Sequence, residues 1–127
     1  MTKKTTKKTT KRVFQQFKKE VLRLLDKFRI DDWKVYFLFD YIGDDCNARC
    51  ITDCVSRNVT FAYNTETDTE DEDDILQIAL HEVCHLLTAD IAGLAYSRFV
   101  TSDEVRKASE MVTRKIQFLL QDKARRH

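Results

Sequence analysis

No apolar run in this chain approaches the roughly 20 residues needed to cross a bilayer. The basic start, residues 1–12, has no apolar core behind it of the kind a secretory signal requires. Both absences predict a soluble protein acting in the cytoplasm. The four cysteines, Cys46, Cys50, Cys54 and Cys84, include no CxxC pair, and nothing suggests export. Reduced thiols follow, with Cys46, Cys50 and Cys54 as small buried side chains rather than a second metal site. Histidine is scarce as well, with three residues in 127. A chain of this length makes one domain, with little room for a separate substrate domain.

The net charge of +1 conceals a polarity along the chain, with lysines crowding residues 1–12 and acids crowding 66–74. Residues 1–12 lack apolar content and cannot repay the entropy of ordering, so a disordered tail is expected, followed by a single domain over 13–127. Charge alone would let that tail touch nucleic acid or another acidic partner. With no aromatic residue interleaved to stack on bases, a solubilising extension is the better reading.

From Val13 the pattern becomes helical. Val13, Phe14, Phe17, Val21, Leu24, Leu25 and Phe28 recur at three- and four-residue steps until Asp31-Asp32. Trp33, Val35, Phe37 and Phe39 alternate with more polar neighbours, which predicts a strand, and Gly43-Asp44-Asp45 predicts a turn. Residues 46–56 and 59–64 read as two further strands, most simply antiparallel neighbours. Thr69 or Asp71 is the expected cap of the next helix, with the acids behind it favoured by the helix dipole. Residues 88–96 either prolong that helix or bend it near Gly93. A closing helix starts at Thr101 or Ser102, with Glu104 close to the capping-box position, and His127 is expected to be free.

The helix after the acids carries His81-Glu82-Val83-Cys84-His85. Residues four apart lie on one helical face, so both imidazoles can reach a single ion. Glu82 follows the first of them, where it could hold a water and take its proton. Neutral imidazoles suit Zn²⁺, which needs a third protein ligand if one position is to stay open. Cys84 points away from the imidazoles and is expected to be small and buried. Six residues beyond His85 stands Ile91, which excludes a third histidine there. The downstream carboxylates are Asp90, Asp103, Glu104, Glu110 and Asp122, and periodicity leaves Glu104 and Glu110 close to even.

The run from His81 to Leu120 resembles the C-terminal half of small single-domain zinc metallopeptidase-like proteins, gluzincin-like zincins of the kind often encoded by bacteriophages. In them an HExxH helix continues into an apolar stretch, a linker and a final helix bearing a Glu. That Glu matches Glu110, with Glu104 in reserve. The resemblance implies an α+β, minimal zincin-like domain made of an N-terminal helix, a small three-stranded sheet, the HExxH helix and a C-terminal helix. It also implies zinc on His81, His85 and Glu110, with Glu82 catalytic in the hydrolysis of a peptide or protein substrate. Zincins hold substrate along a sheet edge, and Val59 to Asn64 is the candidate strand. Tyr63 and Tyr96 could assist an oxyanion, although packing suits both better. The alternatives are a structural metal with the basic tail docking on a partner or nucleic acid, and a peptidase with one narrow target.

Overall fold

The computed structural model describes residues 7–67, 71–95 and 100–125. It is α+β. The order is β1 (Lys7–Lys8), α1 (Lys11–Lys27), β2 (Lys34–Asp40), β3 (Ala48–Asp53), β4 (Asn58–Asn64), β5 (Glu66–Thr67), α2 (Glu72–Leu87), α3 (Ala89–Ala95) and α4 (Ser102–Arg125). None of these helices is by itself long and apolar enough to cross a membrane.

Helix α1 begins two residues before the first apolar position because the Thr10 side chain accepts the Val13 N–H at 3.3 Å, leaving the chain extended at its cap. Its periodic residues Val13, Phe17, Val21, Leu24 and Leu25 are all buried. Each large apolar side chain so placed contributes roughly 1.5–3 kcal/mol relative to exposure. Termination comes earlier than Asp31-Asp32. Arg29 takes a positive φ of 56° while its N–H bonds to Asp26 and that of Ile30 to Leu25, closing the last turn.

The main sheet runs β2-β4-β3, with β4 parallel to β2 and antiparallel to β3. The expected β3–β4 neighbours are therefore present, but β4 is the central strand and not an edge. The physical reason lies in its composition. Val59, Phe61, Ala62 and Tyr63 are all fully buried, so this strand takes the place with neighbours on both sides. Strand β3, with Arg49, Ile51, Thr52 and Asp53 exposed, is left on the outside. Helices α1 and α2 cover the face that carries Val59, Phe61 and Tyr63, where Phe17 meets Tyr63 with ring centroids 4.8 Å apart.

The expected tail shortens. Lys7 and Lys8 pair antiparallel with Thr67 and Glu66, and Thr9 donates its N–H to the Thr65 carbonyl at 2.7 Å. Backbone pairing to the chain just after β4 orders these residues without apolar content of their own. Residues 1–6, His127 and the alternative cap Thr69 lie outside the described residues.

Candidate metal centre

Asp71 caps α2, accepting the Asp73 N–H at 3.1 Å, and Glu72, Asp73 and Asp74 fill the first turn, where the helix dipole favours acids. Ile75, Ala79, Glu82, Val83 and Leu86 form the buried stripe of this helix. That stripe fixes its rotation and leaves His81 and His85 on the open side. Their Nε2 atoms converge to 3.1 Å, with ring centroids 4.7 Å apart and planes at 85°. Two nitrogens on one tetrahedral zinc sit about 3.3 Å apart, given bonds of about 2.0–2.1 Å. The two imidazoles therefore already occupy a geometry suited to one ion.

Glu82 is 7 % exposed, a carboxylate almost withdrawn from water. Burial pushes its pKa up, against the opposing pull of His81, His85, a hydrogen bond from the Cys50 backbone and the charge of Arg49. Strand β3 thus reaches the motif directly, through its own main chain. The neighbouring Cys50 thiol is pushed up to about 12, by burial first and then by the charge of Glu82, and such a thiol is not a nucleophile.

A carboxylate whose pKa rises on folding adds stability below its unfolded value, near 4.5, and that contribution is lost as pH rises through the folded value. Glu82→Gln keeps the shape and the acceptor for Cys50. The metal-free variant is therefore expected to be more stable than wild type at neutral pH and to lose the advantage toward about pH 4. Urea unfolding at both pH values checks this, and equal stability at neutral pH would contradict it.

A furrow runs between β3 and the helices. One hollow of about 330 Å³ is lined by Cys46, Asn47, Gln77 and Ile78, and another of about 340 Å³ by Arg49, Thr52, Thr88 and Ala92. Ala48, His81 and Glu82 line both, so the motif stands at the middle. On its outer side β3 has no strand partner among the described residues. The edge beside the motif is β3, in place of the expected Val59–Asn64.

The structure brings His81, Glu82 and His85 together and leaves Glu110 apart. Glu110 is exposed on α4. Glu104 closes a capping box, accepting the Thr101 N–H at 3.3 Å while its own N–H bonds to Thr101 Oγ1 at 3.1 Å. Among the described residues no group of three His, Cys, Asp or Glu side chains is placed to hold a metal. Helices α2 and α3 meet at a bend of 53°. It falls at Thr88, whose hydroxyl bonds back to the carbonyls of Cys84 and His85, and not at Gly93. Gly93 serves a close approach instead, since a Cβ there would lie 3.1 Å from Cys54 Sγ. Arg57 then holds α3 at the far end of the sheet by pairing with Asp90 and Asp32 while lying over Trp33. Helix α4 packs on α3 and places Lys115 3.8 Å from Asp32. A larger cavity of about 630 Å³ lies there, lined by Arg57, Asp90, Leu94 and Met111 but by neither histidine.

Two smaller expectations change and one holds. Cys84 is exposed, because the stripe through Val83 and Leu86 turns it outward. Cys46, Cys50 and Cys54 are half-buried free thiols, and Cys50 and Cys54 pack against the core rather than within it. Tyr63 is fully buried against Phe17, in keeping with packing, while Tyr96 lies outside the described residues. No protein-family model, curated protein or solved structure matches the chain.

Proposed function

We propose that the chain is a zinc-dependent hydrolase of peptide bonds, with its site on the His81, Glu82 and His85 face of α2 beside the edge of β3. The observation that carries this reading is the convergence of the two Nε2 atoms to 3.1 Å beside a buried carboxylate of raised pKa. A purely structural histidine pair has no need of that carboxylate, which costs desolvation energy to keep. His81 and His85 are the residues that would hold the ion. Zn²⁺ at such a site supplies a Lewis acid that acidifies water and polarises a carbonyl.

The remaining steps belong to the chain itself. Glu82, with its raised pKa, accepts the proton of the attacking water and returns it to the departing amine. The Cys50 backbone lies beside the carboxylate and, with Arg49, opposes the rise in its pKa. The furrow along the unpaired side of β3 receives an extended peptide in the manner of an added strand. Its walls are shallow, with Ala48, Ala89 and Ala92 among the lining residues, which suits a chain better than a compact metabolite. The test is cleavage of a peptide mixture by the zinc-loaded chain, read by mass spectrometry against Glu82→Gln. A wild-type chain that holds zinc and cuts nothing removes the hydrolase reading.

A further inference from the structure

The second face of the main sheet carries exposed side chains along β2 and β3. Alternation along β2 puts Lys34, Tyr36, Leu38 and Asp40 on the side away from α1 and α2. Register extends this face across the sheet, from Tyr36 through Thr60 to Ile51 and from Leu38 through Ala62 to Arg49. Tyr36 is 53 %, Leu38 42 % and Ile51 48 % exposed. Three large apolar side chains therefore flank the half-buried Thr60 and the fully buried Ala62.

The charges at the ends of β2 indicate what covers it. Lys34 and Asp40 are both exposed, and neither takes part in an ion pair among the described residues. They stand at opposite ends of one strand and carry opposite signs. A two-fold axis lying across the strands, level with Phe37, reverses β2 over its own copy. That operation sets Lys34 against Asp40 of the second copy, twice. It also sets Tyr36 against Leu38, and Ile51 against the stem of Arg49. The Arg49 guanidinium is directed aside, toward the Ile42 carbonyl at 3.4 Å, which leaves that stem available for contact.

We propose that this face is the seat of a second copy of the chain, packed sheet to sheet as an isologous dimer with strands antiparallel across the interface. The pairing shares Arg49 with the hollow beside the metal centre, which lies at the β3 edge.

Sedimentation of the full chain across concentration tests it. The wild type is expected to reach twice its 15.0 kDa mass, and Leu38→Lys to remain monomeric with its circular dichroism unchanged. Lys34→Asp alone and Asp40→Lys alone are each expected to weaken the dimer by about tenfold or more, because each sets like charges together at two places. The double variant Lys34→Asp with Asp40→Lys restores it, which only a self-complementary contact of these two residues would do. A wild type that stays monomeric leaves the face to another protein or to water and overturns the proposal. A dimer that survives Leu38→Lys, or charge variants that fail to rescue each other, overturns it equally.

Discussion

Zinc binds Glu82→Gln as tightly as wild type in the expected result, while peptide cleavage falls by about 10²-fold or more, the usual worth of a positioned general base. His81→Ala and His85→Ala behave in the opposite way and lose the metal itself. Their loss should exceed the about 10–100-fold that removing a supporting group around a metal typically costs. The separation rests on geometry. The two Nε2 atoms, 3.1 Å apart, are the convergent pair, and Glu82 lies buried beside them in contact with β3. Isothermal titration with zinc, run beside the cleavage assay, reads both quantities. Glu110→Gln is expected to leave affinity within about threefold, because α4 lies against α3 with Glu110 in solvent. A fall beyond about tenfold would instead show α4 swinging in to supply the third ligand. Retention of tight zinc by His81→Ala would sink the site altogether.

The largest stability effect is expected at Asn64, which is 1 % exposed at the end of β4. Its Nδ2 donates to the Gly43 and Cys46 carbonyls at 2.7 and 2.8 Å, and its Oδ1 accepts the N–H groups of Ile42 and Glu66 at 3.4 and 3.2 Å. One side chain thereby satisfies four main-chain groups and holds the 41–47 loop, in which Gly43 takes a φ of 113°. Asn64→Ala leaves those groups without their partner, for a loss of about 2–4 kcal/mol. In a domain of this size that lowers the melting temperature by roughly 10 °C. Asn64→Asp should be worse at neutral pH and partly recover in acid, since a carboxylate cannot donate to two carbonyls and a carboxylic acid can donate to one. Thermal unfolding by circular dichroism decides it. A fall below about 2 °C for Asn64→Ala would show that the loop holds without this residue.

Much of this fold was legible along the chain because its causes are local. The apolar steps from Val13 to Phe28 make α1, the alternation around Phe37 and Phe61 makes strands, and Thr101 with Glu104 makes a capping box whichever way α4 points. The same locality brings His81 and His85 together, since helical pitch alone stacks residues four apart. Strand order was not legible. Residues 59–64 alternate like any half-buried strand, and only the full burial of Ala62 on the second face shows the strand to be central. Nor could the motif reveal that Cys50, more than thirty residues earlier, would come to lie beside Glu82.

By itself, then, the sequence determined the elements, the pairing of the two imidazoles and the carboxylate beside them, all consequences of spacing within a single helix or strand. The tertiary structure alone decided which edge meets the motif, that Glu82 is withdrawn from water, and where the downstream carboxylates go. Those outcomes depend on contacts between distant segments, such as the grip of Arg57 on Asp32 and Asp90. No short-range pattern encodes them, because the energy that selects each one is shared among residues that meet only after the chain has folded.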